Sequence, residues 1–328
     1  MAFLVLTHAE VEQLLAMQAC IEVMTATLED LAQGTLSQPL RSIYAPPCAT
    51  GVMAWMPAYS AGPDAVYGMK MLCVIPDNPS RGLDGHQGSV VLMDGVTGEL
   101  RAVINAAAIT AIRTAAVSAV ATRLLAREDA RVLALIGAGV QAERHLEAML
   151  CVRPIERVRV AGRTLESAQR FVARMRPRVP CALEAVESAE AAVRDAGIVV
   201  TATTAREPVL AHAWLAPGTH VNAVGASRPP HREIDTATWS AAAVFVDRRE
   251  SVEREAADYQ RALEEGGPEA VHIKAEIGDV LLGRARGRTS ADEITLFRSL
   301  GLAVEDVTAA QYVLQRARAS GVGTLVGF

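Results

Sequence analysis

The chain has 328 residues, with 32 lysines and arginines against 37 acids, for a formal net charge of −5. That balance gives no electrostatic case for nucleic acid or an anionic membrane surface, and an aromatic content of 4% leaves little material for stacking bases. With 51% hydrophobic residues, the length suits about two domains with sizeable cores.

Five cysteines, Cys20, Cys48, Cys73, Cys151 and Cys181, are odd in number and widely spaced. They form no CxxC pair and no Cys/His cluster, so neither a disulfide framework nor a metal site is expected. No signal peptide and no long apolar span is read, and the expected compartment is a reducing cytoplasm.

Taken in chain order, Val11, Leu14 and Leu15, then Ile21, Met24 and Leu28, have helical spacing. A proline-rich region follows, with Pro39, Pro46, Pro47, Pro57, Pro63, Pro76 and Pro79. Within it GVMAWMPAY (51–59), YGMKMLCVI (67–75) and GSVVLMD (88–94) read as strands, and GVTGE after Asp94 as a hairpin turn. The texture is that of an α+β region with a largely antiparallel sheet.

Three bases stand out there. Lys70 is flanked by apolar residues on both sides; burial disfavours an ammonium and lowers its pKa, which suits a donor to a carbonyl or imine nitrogen. Arg113 lies in a small, apolar helical stretch running from Ala106 to Leu125, where a guanidinium suits bidentate capture of a carboxylate. Arg41 is the third. Each is equally consistent with a snorkelling or salt-bridged base, and His86, in GLDGHQG, with a structural hydrogen bonder.

The most specific signal follows the long helix. Val132–Ile136 is a short apolar run, then Gly137-Ala138-Gly139-Val140-Gln141-Ala142, then the helical pattern AERHLEAML. Strand, glycine turn and helix in that order form a pyrophosphate-binding unit. Gly137 permits the tight turn, Gly139 lets backbone approach phosphate, Ala142 lets the helix pack closely, and the helix N-terminus favours an anion. Further strands are predicted at Arg157–Val160, Ile198–Thr201, His220–Val224 and Ala243–Val246, and helices at Thr164–Met175 and Ser188–Arg194. That alternation predicts a doubly wound parallel sheet.

The second strand ends in Gly162-Arg163-Thr164, with no acid for a ribose 2′-OH. Arg163 and Thr164 fit a 2′-phosphate, which favours NADP over NAD, unless Arg163 is simply solvated and Thr164 caps the next helix. Thr201, Ala202 and Thr203 are expected along the carboxyl edge of the cleft, and Val224, Gly225 and Ala226 near the nicotinamide. The stretch 261–269 reads as an exposed loop. The Ala-rich tail from Leu296 reads as helix and is expected to return to the first domain.

Taken together, MPAY (56–59), GMK (68–70), PDNPSRGLDGHQG (76–88), ITAIRTAAVSA (109–119), LIGAGVQAERHLEA (135–148), VNAVGASRPPHREID (221–235) and SLGLAVEDV (299–307) resemble the ornithine cyclodeaminase/mu-crystallin family over nearly the whole chain. The resemblance implies an α/β protein with a Rossmann-type doubly wound sheet over 118–304. It also implies an α+β substrate-binding and dimerisation domain formed by 1–117 with 305–328, in a homodimer. By the same resemblance Arg41 and Arg113 clamp a substrate carboxylate, and Lys70 stands beside the reacting carbon and nitrogen.

Two residues depart from the cyclodeaminase pattern. Ser227 stands where those enzymes carry an aspartate, and Gly85 where they tend to have threonine. Gly225-Ala226-Ser227-Arg228-Pro229 resembles the mu-crystallin and alanine-dehydrogenase-like branch. The implied activity is NAD(P)H-dependent reduction of a 2-imino acid, or the reverse oxidation of an amino acid. Lys70 would work at the nitrogen, Ser227 would orient substrate or water, and His86 or Arg228 would receive a second carboxylate. The same-fold alternative is a redox-neutral cyclodeaminase that keeps its NAD. An alternative of another class is a non-catalytic NADPH-dependent binder of small molecules.

Overall fold

Alternation of inward and outward residues at period two builds the first sheet. The computed structural model describes residues 2–226, 230–266 and 272–327. In it Val52–Ser60 pairs with Val66–Val74, that strand with His86–Asp94, and this one with Leu100–Asn105, all antiparallel. Ala2–Leu6 lies parallel to Leu100–Asn105 and carries Thr324–Gly327 at the edge. Short strands Leu36–Ser37 and Ser42–Tyr44 pair with Val52–Ser60 at the other side. The hairpin turn forms as expected, with Asp94 Oδ1 accepting Val96 N at 2.9 Å and Thr97 N at 2.8 Å.

One face of this sheet holds Ala54, Met56, Ala58, Lys70, Val90 and Leu92, all buried. The helix Ala303–Ser320 packs against the three central strands of this sheet and against helix Met17–Gln33. A Cβ on Gly68 would meet Val307 Cγ2 at 2.3 Å, so the strand has no side chain where the helix crosses it. The other face carries Trp55, Tyr67, Met71 and Met93, all exposed.

The second sheet is wholly parallel. Its order is Ala182–Ala185, Arg157–Ala161, Val132–Ile136, Ile198–Thr201, His220–Ala223, Thr295–Arg298, Ala243–Val246 and Ile273–Glu276. Val132–Ile136 has Arg157–Ala161 on one side and Ile198–Thr201 on the other, the strand reversal where doubly wound sheets bind ligands. The chain divides into 1–113 with 302–328, and 114–301. The boundary at 113/114, like the expected one at 117/118, falls within helix Ala106–Leu125, which runs on unbroken and offers no sequence signal there.

Four expectations need correction. Thr295–Arg298 is a strand inserted between two earlier ones, and the tail helix begins only at Ala303; a four-residue run buried on both faces has no period to read. Ala182–Ala185 and Ile273–Glu276 are further parallel strands missed for the same brevity. Residues 261–266, expected in a loop, belong to helix Ala257–Gly266, whose Ala262 is in the core with Tyr259 and Leu263 packed against it; 267–269 lie outside the described residues. Finally, Ala106–Leu125 is by length and composition apolar enough to cross a membrane, although 78% of that stretch is buried within the protein.

Candidate active site

At the centre of strand Val66–Val74, the alternation that turns Met69 and Met71 outward turns Lys70 into the core, where it is 4% exposed. Its Nζ lies 2.6 Å from Asp306 Oδ2, and it donates to Thr110 Oγ1 at 3.4 Å. Asp306 is in the first turn of Ala303–Ser320 and is also paired with Arg113, whose Nε donates to Asp306 Oδ1 at 2.8 Å. Arg113 Nη1 donates to Glu305 Oε2 at 2.6 Å, and that oxygen accepts Leu302 N at 3.1 Å. Two bases and two acids are therefore buried together, each base matched by carboxylate.

The environment leaves Lys70 the softest of these charges. Burial pulls its pKa down to about 8; Asp306 opposes that fall, while Arg113 and Arg41 add to it. For Asp306 burial acts upward, but Arg113 and Lys70 outweigh it and hold the carboxyl below its ordinary value. Arg41 is half-buried just before Ser42–Tyr44. Its charge contributes to the lowering at Lys70, while the direct contacts join Lys70 and Arg113 through Asp306. His86 faces Val74, four strand positions from Lys70, roughly 13 Å along the strand; it is exposed and stands apart from the cluster. Ser227 and Arg228 lie outside the described residues.

In the nucleotide unit, Gly137 has φ +119°, and a Cβ there would meet Ala202 O at 2.4 Å. Only glycine satisfies both conditions. Ala138 and Gln141 are half-buried and Val140 is exposed. Gly139 is the N-cap of helix Val140–Val152 with no side-chain cap and open space where a Cβ would stand. Uncapped N–H groups, a dipole end and an open approach fit a pyrophosphate. Ala142 is buried against the sheet, and His145 anchors the same helix: its buried Nδ1–H donates to Gln141 O at 2.7 Å and Nε2 accepts from Ser118 Oγ at 2.9 Å. Burial drops its pKa to about 4, so the ring is neutral at pH 7.

Thr164 takes the capping role. Its Oγ1 accepts Ser167 N at 3.2 Å at the start of Leu165–Met175. Gly162 packs on Ser167, and Arg163 is exposed. Thr201 is buried, while Ala202, Thr203, Val224 and Gly225 are half-buried at the strand ends.

The sequence reading passed over Glu305, Asp306 and Glu233. The first two were quoted within SLGLAVEDV without a role; the available signal was a pair of acids inside an otherwise apolar run. Glu233, in PPHREID, accepts hydrogen bonds from both Thr203 and Gly225.

The description "Ornithine cyclodeaminase/mu-crystallin family" belongs to a family model that matches residues 1–321. The chain belongs to this family. Among its relatives, Delta(1)-pyrroline-2-carboxylate reductase of Bacillus cereus is 36% identical over 326 residues, 99% of this chain and 100% of that protein. Delta(1)-pyrroline-2-carboxylate reductase of Thermococcus litoralis, solved with NADH and L-proline, superposes with a TM-score of 0.94 at 36% identity, covering 98% of this chain and 99% of that one. An archaeal alanine dehydrogenase dimer with bound NAD gives 0.92 at 33% identity, each chain covered in full. Family membership thus accounts for the quoted motifs and for the Rossmann-type sheet.

Proposed function

We propose that this chain is an NAD(P)-dependent oxidoreductase that reduces a 2-imino acid to the corresponding L-amino acid, and catalyses the reverse oxidation. The observation that carries this reading is the buried Lys70, with its pKa lowered to about 8 beside Asp306 and Arg113. A proton-donating ammonium of that acidity suits protonation of an imine nitrogen near neutral pH. The Gly137–Ala142 turn would hold the dinucleotide, whose dihydronicotinamide would supply the hydride to the C=N carbon. Lys70 gives the proton to nitrogen as the C=N π bond becomes an N–H bond, and Asp306 holds the ammonium in place. Arg41 and Arg113 hold the substrate carboxylate and so fix the carbon that reacts.

Met56 and Val90 pair directly with Lys70 on either side, which suits an apolar or cyclic imine such as a ketimine ring over an iminosuccinate-like dicarboxylate.

The cofactor is a nicotinamide dinucleotide, with NADP as the finer proposal: no acid ends strand Arg157–Ala161, and Arg163 is exposed beside it. Homodimerisation is proposed through the apolar outer face of the first sheet. There the Tyr59 and Tyr67 rings lie 4.7 Å apart, tilted by 43°, beside a concavity of about 530 Å³ lined by Pro39, Pro57, Met69 and Met93. The five free thiols suit the cytoplasm, the proposed location.

The test is a screen of cyclic imines and of 2-oxo acids with ammonia, run with NADH and NADPH in parallel. Consumption of reduced cofactor with an apolar or cyclic imine is expected. No oxidation with any imine would overturn the reading, and ammonia release from ornithine without net NADH change would place the chain with the cyclodeaminases.

A further inference from the structure

One buried side chain ties together two loops at the carboxyl edge of the parallel sheet. Glu233 is fully buried. Its Oε1 accepts from Thr203 N at 2.6 Å and Thr203 Oγ1 at 2.9 Å, and its Oε2 from Thr201 Oγ1 at 3.0 Å and Gly225 N at 2.6 Å. Each oxygen has two donors, so an acceptor-only carboxylate is the form that satisfies all four. Burial raises its pKa overall, with the charge of Arg298 and the Thr203 and Gly225 donors opposing the rise, and the four donors favour the ionised form.

Thr201 ends one strand and Gly225 follows the next, and the two strands are parallel neighbours. The loops beyond them touch: a Cβ on Gly225 would lie 2.2 Å from Thr203 O and 2.5 Å from Glu233 Oε1. Glycine is what allows one carboxylate to reach both loops. Glu233 cannot drift, because its own carbonyl accepts Val209 N at 2.8 Å and Leu210 N at 3.0 Å. The second loop is also held by buried Arg298, which donates to Ala223 O at 2.8 Å and to Ala226 O, and pairs with Asp258 at 3.2 Å.

We propose that Glu233 is a positioning residue for the nicotinamide end of the cofactor, setting the spacing of the Thr203 and Gly225 loops. This rests on the reading that the chain binds a nicotinamide dinucleotide. A general structural brace would affect both ends of the cofactor alike. Glu233 holds the Gly225 loop, expected near the nicotinamide, against the Thr203 loop, which borders the pyrophosphate turn where a Cβ on Gly137 would lie 2.4 Å from Ala202 O, so the affinities for the two ends of the cofactor separate positioning of the nicotinamide from a shared brace.

Glu233→Gln places an NH₂ donor where the carboxylate accepts, so at least one buried donor faces another. The dissociation constant for NADH, read from its fluorescence, is expected to rise about tenfold or more. That for ADP-ribose, which lacks nicotinamide, should stay within about twofold when measured by calorimetry. Thr201→Val, which removes one donor with little change of volume, should raise the NADH to ADP-ribose ratio about two- to fivefold and serves if the first variant does not fold. Equal weakening of both ligands, or an unmoved ratio in the folded variants, overturns the proposal. Wild-type protein that binds neither ligand overturns the dinucleotide reading, and the inference with it.

Discussion

At the residue scale, the proposed function concentrates in a lysine whose pKa the core lowers to about 8. Removing the ammonium by Lys70→Ala is expected to lower turnover at least about a hundredfold, the usual worth of a positioned proton donor. NADH affinity should be unchanged, since the pyrophosphate turn lies elsewhere in the chain; a fluorescence titration beside the rate assay checks both.

The pH profile has a definite sign. Imine reduction needs the protonated lysine, so kcat/KM should fall as pH rises through about 8. Amino-acid oxidation needs the neutral amine and should rise through the same region. Asp306 raises the lysine pKa and Asn would not, so Asp306→Asn should move that limb below 8. It also strips a buried Arg113 and Lys70 of a shared counter-charge, at a cost on the order of 3–5 kcal/mol in stability, measurable by denaturant titration. A limb that stays in place would remove Lys70 from the chemistry.

At the scale of elements, how much was legible in advance depended on length and pattern. Val132–Ile136 followed by its glycine turn and an amphipathic helix was legible because three local signals agree there. Thr295–Arg298 was not: four buried residues carry no period, and the strand pairs with His220–Ala223 and Ala243–Val246, far away in sequence. The glycine turn makes a sharp prediction. Gly137→Ala asks for a positive φ that alanine resists and sets a methyl 2.4 Å from Ala202 O. Stability should drop by about 2 kcal/mol, and NADH affinity should fall with it. Thermal unfolding and NADH titration test this, and a variant with wild-type values of both would show that the turn relaxes freely.

At the scale of the whole molecule, the first sheet leaves an apolar face with Trp55, Tyr67, Met71 and Met93 exposed. Exposed patches of that kind mark association surfaces. Introducing charge there with Tyr67→Glu and Met71→Lys is expected to convert the proposed dimer into monomers on light scattering, while NADH binding persists. A wild-type monomer would overturn the proposed dimer, and a dimer that survives both changes would move the interface to another surface.

The sequence by itself determined the fold class and the dinucleotide turn, because each rests on a local pattern, a short apolar strand and glycines at fixed spacing; it singled out Arg41, Lys70 and Arg113 as candidate bases, with their roles implied by the family resemblance. Only the tertiary structure decided what those bases meet. Asp306 and Glu305 are nearly two hundred residues from Arg113 in sequence, with separations of 193 and 192, and no local pattern announces which acid will face which base. The same holds for Glu233, whose four donors come from two different strand ends. Buried charge must find its partner through folding, since an unpartnered one would cost more than the core can supply. Packing of helix Ala303–Ser320 on the first sheet therefore turned a plausible lysine into one with a stated acidity and a named counter-ion.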